Sequence, residues 1–210
     1  MSKLQALDLA KINQDLGRDA QGLVDWAIGL GQTAIVTTNF RPFEAVILHM
    51  VSRAQPDVQV VWMDNGYNTE ATYRYADEVT KQLGLNLRIY LPSRSRAHRE
   101  AVEGPAPALD DPRHAAFTQE VKLEPFARAL RETAPTVWFT ALRATDSAVR
   151  AQMEPVSINP DGLIKVAPLL HWSSKELHEY CQQHGLPNNF DYADPTKGQE
   201  QRECGLHLSH

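Results

Sequence analysis

Cysteine is scarce in this chain: two in 210 residues, Cys181 and Cys204. Two thiols make no disulfide framework, and their rarity fits a reducing compartment. There is no Cys-x-x-Cys pair and no Cys/His cluster at metal spacing. A zinc or iron–sulfur site built from these thiols is therefore excluded from the expectations. No run of about twenty apolar residues occurs, so no membrane-spanning helix is expected. The first residues, Met1 to Asp19, are polar and helix-patterned, without the charged-then-apolar order of a signal peptide. A cytoplasmic location is the expectation. Positive charge is not in excess: 21 Lys+Arg against 26 Asp+Glu give a net charge of -5. A general nucleic-acid surface is not expected, and any anion site must be local. Internal repeats and low-complexity stretches are absent as well.

What is present is an ordinary hydrophobic content of 42%, enough for one substantial core. Leu4, Leu7, Ala10 and Ile12, then Leu16, Leu23, Trp26, Ala27 and Leu30, recur every three to four residues. They predict helix over 2–30, in pieces divided at Gly17 and Gly22. Ala34-Ile35-Val36 reads as a buried strand. The polar Thr37-Thr38-Asn39-Phe40-Arg41-Pro42 follows, then a helix through Phe43, Val46, Ile47, Met50 and Val51, with Pro42 suited to its first turn. A polar loop between a buried strand and a helix is either an anion site made by free amides and the helix dipole or an ordinary capping segment. Val58 to Met63 is a second strand that ends on Asp64-Asn65-Gly66. Residues 69–84 are helical, with Thr69 as cap, Gly84 as stop, and Tyr73, Ala76, Val79 and Leu83 on the apolar face. Leu87 to Leu91 is a third strand. Strand–helix–strand–helix–strand predicts an α/β fold: an open, mostly parallel twisted sheet with helices on both faces.

Further along, Ser93 to Glu103 is polar and basic. It reads as a mobile flap or as a solvated face carrying Arg94, Arg96 and Arg99. Residues 113–133 predict a helix that Pro125 must end or kink, leaving Lys122-Leu123-Glu124-Pro125 at an irregular point. Val137 to Leu142 is a fourth strand with Arg143 at its end, followed by Ser147 and Arg150; arginine there suits bidentate phosphate binding. Asn159-Pro160-Asp161-Gly162 predicts a tight turn between two short strands. Ser173 to Glu176 is a capping box opening a helix to about His184, on which Cys181 reads as a small buried apolar residue. Beyond Pro187 the pattern is polar and without periodicity. At the chain end, Arg202-Glu203-Cys204-Gly205-Leu206-His207 sets a thiol among cationic neighbours. It is a reactive thiolate candidate or a surface cysteine on a frayed end.

This last segment resembles the active-site segment of the assimilatory sulfonucleotide reductases, which reduce PAPS or APS to sulfite. Four other segments resemble the same family in the same order. Thr37, Thr38, Asn39 and Phe40 stand at its serine-rich phosphate loop. Asp64-Asn65-Gly66-Tyr67 is similar to its Asp-Thr-Gly-Tyr segment, Lys122-Leu123-Glu124-Pro125 to its Lys-x-Glu-Pro signature, and Ala141-Leu142-Arg143 with Ser147 and Arg150 to its arginine block. The resemblance spans residues 34–207. Three departures stand out. Arg41-Pro42 replace the glycine region of the loop, Ala144 replaces a second arginine, and the stretch between Pro195 and Arg202 is shortened. The Cys-Cys pair of the cluster-bearing APS reductases is replaced by Thr118-Gln119-Glu120-Val121.

The resemblance implies a cluster-free PAPS reductase with an adenine nucleotide alpha hydrolase-like, PP-loop type fold. It implies one nucleotide-binding domain over 1–190 and a flexible catalytic tail over 191–210. Cys204 would attack the sulfonyl sulfur with help from His207. Thr37, Thr38, Asn39, Phe40, Asp64, Gly66, Lys122, Arg143, Ser147, Arg150 and Arg202 would bind the substrate. No bound cofactor or iron–sulfur cluster is implied. The implied reductant is an external thioredoxin or glutaredoxin, and relatives are commonly homodimers. Three rivals are a cluster-free APS reductase, an adenylating ligase of the ATP-pyrophosphatase group, and a non-catalytic sulfonucleotide sensor. The ligase would need Ser-Gly-Gly-x-Asp-Ser in the loop, and this loop has no glycine.

Overall fold

The computed structural model describes residues 7–197. Two helices, α1 (Leu9–Leu16) and α2 (Ala20–Gly29), lead into β1 (Ala34–Thr38). The break falls at Gly17, where Asp19 caps α2 by accepting from Gly22 N. Gly22 therefore lies in the first turn of α2 and divides nothing, contrary to the sequence expectation. Then come α3 (Glu44–Ala54), β2 (Gln59–Met63), α4 (Glu70–Leu83) and β3 (Asn86–Tyr90). Thr69 caps α4, and Gly84 ends it at φ 61, a left-handed position that suits glycine. The buried face of α4 is Thr72, Tyr75, Ala76 and Val79. Tyr73, expected on that face, is exposed, because Tyr75 and Thr72 hold the i, i+3 stripe instead.

Residues 96–103, without a clear pattern in the sequence, form a helix, α5 (Arg96–Glu103), capped by Ser95. Arg99 is not a solvated residue: it is 2% exposed. It lies against the rings of Tyr67 and Phe117 and bonds Glu120. After α6 (His114–Thr118) the helix widens to a π turn at Gln119–Leu123 and resumes as α7 (Glu124–Thr133) with Pro125 in its first turn. In an unbroken α-helix the Pro125 ring would meet the carbonyl four residues earlier, and its missing N–H would cost a bond. The wider turn removes that conflict.

The chain then forms β4 (Val137–Phe139), shorter than expected, and two 3₁₀ turns, Ala144–Asp146 and Arg150–Gln152. β5 (Val156–Ile158), β6 (Ile164–Val166) and α8 (Ser174–His184) complete it. The capping box at Ser173 and Glu176 is formed. The sheet order is β3-β2-β1-β4-β6-β5, parallel except for the β5–β6 hairpin. The carboxyl ends of β1, β2 and β4 thus lie side by side. One face is covered by α2, α3, α4 and α8 through residues such as Leu23, Val46, Val79 and Leu177. The other is covered by α7 through Phe126 and Ala129, which meet Ile35, Val61 and Trp138. Among the described residues no helix is long and apolar enough to cross a membrane.

Candidate functional site

The turn from β1 into α3 is strained. Phe40 and Phe43 both take positive φ, 52° and 67°, a region that aromatic side chains rarely occupy. Packing holds them there. Phe40 is fully buried, edge-on to Trp62 at 5.0 Å. Phe43 sits edge-on to Phe190 at 5.6 Å. The left-handed step at Phe43 also displaces Pro42 from the first turn of α3, where the sequence places it.

The backbone amides of this loop do point at an anion, and the anion is Glu44. Its Oε2 accepts from Thr38 Oγ1 at 2.8 Å, Asn39 N at 2.7 Å and Arg41 N at 3.4 Å. Its Oε1 accepts from Arg41 Nε at 2.9 Å. The residue is buried. The cradle therefore holds a carboxylate supplied by the chain itself. Thr37 is oriented by Trp138 Nε1, which donates to its hydroxyl at 2.9 Å.

Across the gap, Asp146 gathers three arginines. Its carboxylate lies 2.9 Å from Arg41 NH1, 2.9 Å from Arg143 NH2 and 3.0 Å from Arg150 NH1. Burial alone would raise the pKa of Asp146, but the three guanidinium groups outweigh it and the net shift is downward. Ser147 Oγ accepts from Arg150 N at 3.2 Å and so shapes the second 3₁₀ turn. Arg143 reaches Ser174 Oγ at 3.0 Å, at the start of α8.

Between these groups, at the carboxyl ends of β1 and β4, lies a cavity of about 110 Å³. Thr37, Asn39, Arg41, Arg150, Tyr192 and Lys197 are among its walls. Whole-ligand pockets run to about 300–1,000 Å³. This space is below that range and matches a single anionic group. Of the sequence candidates, Thr37, Asn39 and Arg150 line it, whereas Thr38, Phe40, Asp64, Gly66, Lys122, Arg143 and Ser147 do not.

Asp64 and Gly66 form a neighbouring loop at the end of β2. Asp64 Oδ1 accepts from Gly66 N, Asn68 Nδ2 and Tyr73 OH, all within 2.9 Å. Gly66 at φ 80 makes the turn possible. Burial, with Asp64 beside it, pushes the Tyr73 phenol up to about 12.

Residues 188–197, without periodicity in the sequence, form a strap over the sheet's carboxyl edge. It starts beyond α8 on one face. Asn188 Oδ1 accepts from Phe43 N at 2.8 Å, and the Asp191 carbonyl accepts from Thr69 Oγ1 at 2.7 Å. It reaches the π turn near the other face, where Lys122 Nζ donates to Asp194 Oδ2 and, at 3.1 Å, to Thr196 Oγ1. His114 Nε2 lies 3.2 Å from the Pro195 carbonyl.

Arg202, Cys204 and His207 lie outside the described residues. The other thiol, Cys181, is buried on α8, and burial pushes it up to about 11. Three residues escape the sequence reading: Glu44, Asp146 and Asp194. Two carry a spacing signal, since Glu44 follows Arg41 by three and Asp146 lies three from Arg143 and four from Arg150. Asp194 carries none, because its partner is 72 positions away. Among the described residues no group of three or more His, Cys, Asp or Glu could hold a metal ion.

Comparison with known proteins gives a consistent result. The family described as "Phosphoadenosine phosphosulfate reductase domain" matches residues 33–192. A Synechococcus protein named "Phosphoadenosine 5'-phosphosulfate reductase" is 32% identical, across 95% of this chain and 97% of its own length. A Shigella flexneri protein of the same name is 33% identical, across 96% and 92%. The crystal structure of phosphoadenylyl-sulfate (PAPS) reductase from Candida auris, a phosphate complex, shares the fold with a TM-score of 0.75. It is 23% identical, across 90% of each chain.

Proposed function

The chain belongs to the phosphoadenosine phosphosulfate reductase family, and we propose that it reduces PAPS through a covalent intermediate on Cys204. It is an enzyme of sulfonucleotide reduction, and so of sulfate assimilation. In the proposed step the Cys204 thiolate attacks the sulfonyl sulfur and forms an S–S bond. The sulfur–oxygen bond to the 5′-phosphate breaks, and adenosine 3′,5′-bisphosphate leaves with the electron pair. Cys204 then carries a thiosulfonate. A thioredoxin or glutaredoxin dithiol attacks Cys204 Sγ, sulfite leaves with two electrons, and the partner closes its own disulfide as two protons are released.

The observation that carries this reading is the position of Lys197. It lines the anion-sized cavity, and Cys204 follows seven residues later. Seven residues span at most about 24 Å, a tether length that supports delivery of the thiol to the cavity. Arg150 and Lys197 on its walls suit the sulfonyl and phosphate oxygens. His207, three residues after Cys204, would favour the thiolate. An external reductant fits the burial of Cys181.

Sulfite release from the purified protein, with thioredoxin and with PAPS or APS in parallel, tests the proposal. Cys204→Ser is expected to keep nucleotide affinity and lose all sulfite formation. Reduction retained in that variant would refute the assignment, and turnover of APS alone would move it to the other nucleotide.

A further inference from the structure

Two arginines meet on one oxygen beside the anion-sized cavity. Arg41 NH1, from the loop after β1, and Arg150 NH1, from the second 3₁₀ turn after β4, both donate to Asp146 Oδ2, at 2.9 and 3.0 Å. Arg143 NH2 lies 2.9 Å from the other oxygen, Oδ1. Arg41 and Arg150 line the cavity, whereas Asp146 and Arg143 do not. The carboxylate therefore stands behind a cationic wall. It is well sheltered there: the side chain of Asp146 is 13% exposed and that of Arg150 is 4% exposed. Burial works against the charge on Asp146, and the arginines outweigh it. The pair is fixed from other sides as well. Arg41 donates to Glu44 Oε1 and the Ala141 carbonyl, and Arg150 N donates to Ser147 Oγ.

A carboxylate is an unfavourable neighbour for a site that takes anions, because its field opposes theirs. Its position explains what it contributes. Two guanidinium groups drawn to one wall repel each other, most strongly where water is excluded. A guanidinium also offers a planar fork whose direction matters as much as its charge. One oxygen shared by Arg41 and Arg150 answers both problems, since it offsets the repulsion and fixes each NH1. We infer that Asp146 is a positioning residue for the reductase reaction, acting through Arg150 and Arg41 to aim their guanidinium groups at the cavity. This rests on the reading of that cavity as the seat of the substrate's sulfonyl and phosphate oxygens. Donors held in place beforehand stabilise charge as it develops without having to reorganise. Orientation and attraction then come apart. Loss of the Asp146 charge makes the wall more positive and less ordered at once, so anion affinity survives and turnover falls.

A double-mutant cycle with Asp146→Asn, Arg150→Lys and the double variant tests this. Affinity for inorganic phosphate is measured by calorimetry at low and high salt. Sulfite formation is measured in single turnover at saturating PAPS with thioredoxin. Asp146→Asn is expected to lose about tenfold or more in sulfite formation. Its phosphate affinity should stay within about threefold and depend more steeply on salt, since attraction has replaced geometry. Arg150→Lys should weaken phosphate binding about tenfold in the wild-type background and less than about twofold beside Asp146→Asn, because an unaimed fork has no advantage over a point charge. Full turnover in Asp146→Asn would overturn the inference. So would an Arg150→Lys loss of the same size in both backgrounds. Phosphate affinity and turnover falling together in Asp146→Asn would make the residue purely structural and overturn it too. If Asp146→Asn does not fold, Asp146→Glu keeps the charge and displaces it by one methylene. It should lower turnover at unchanged phosphate affinity, and full turnover in it would count against the inference in the same way. A wild-type protein that binds no phosphate also overturns it. One that shows the phosphate coupling but releases no sulfite from PAPS or APS refutes the underlying reading and leaves the positioning role of Asp146 standing.

Discussion

Arg41 Nε donates to Glu44 Oε1 at 2.9 Å, within the same loop whose amides close on the other oxygen of that carboxylate. The pair makes a chain-borne anion the resident of the cradle that the family resemblance sets aside for substrate. Arg41 itself is committed elsewhere as well: NH2 donates to the Ala141 carbonyl at 2.6 Å and NH1 meets Asp146. The arginine at the glycine position thus locks the loop against the 3₁₀ turn opposite, through a guanidinium fork that a lysine could not reproduce.

If the Glu44 carboxylate competes with ligand anions, removing its charge should tighten nucleotide binding. Glu44→Gln is expected to lower the Kd for adenosine 3′,5′-bisphosphate about tenfold, equivalent to roughly 1.4 kcal/mol. It should also lower the melting temperature, since charged hydrogen bonds worth about 1.5–3 kcal/mol are weakened. Calorimetric titration gives the first quantity and a thermal melt the second. Unchanged or weaker binding would show that the carboxylate and the ligand do not share the cradle.

Cys181 should be dispensable for turnover. It is buried on α8 beside Leu177, and its thiol is pushed up to about 11 by burial, far from thiolate at neutral pH. Cys181→Ala is expected to form sulfite at the wild-type rate with thioredoxin. Mass spectrometry that finds a thiosulfonate accumulating on Cys204 in this variant would instead make Cys181 the resolving thiol.

Acid stability should depend on Glu120. Hydrogen bonds from Arg94 hold its carboxyl at about 2, with Arg99 adding to the effect against the cost of burial. A depressed folded pKa contributes stability that is complete above the unfolded value, about 4.3. That contribution is lost as the pH falls toward 2. Glu120→Gln should therefore lower the urea midpoint at pH 7, and the gap to wild type should close at about pH 2. A gap of the same size at both pH values would assign the loss to packing.

The parallel sheet was legible because Ala34-Ile35-Val36, Val58 to Met63 and Val137 to Leu142 are mostly apolar runs bounded by polar or turn residues, although the last pairs as a strand only over Val137–Phe139. The caps at Thr69, Gly84 and Ser173 were legible because capping is settled within three or four positions. The irregular point at Lys122–Pro125 was also foreseeable, since proline cannot continue a regular helix. Its form, a π turn that points a lysine inward, was not, because that depends on what lies beneath. Arg99 read as a solvated charge for a similar reason: its partners Tyr67 and Glu120 are 32 and 21 positions away.

By itself the sequence determined the α/β class, the position of the polar loops at strand ends, and the family to which the chain belongs, all carried by residue types at short spacing. Tertiary structure alone decided who occupies those loops. It put Glu44 into the β1 cradle, joined three arginines through Asp146, and fastened the strap to Lys122 by Asp194. Such pairings are set by which strand ends lie side by side and by the cost of leaving a buried charge without a partner. Neither quantity is written in any local stretch of the chain.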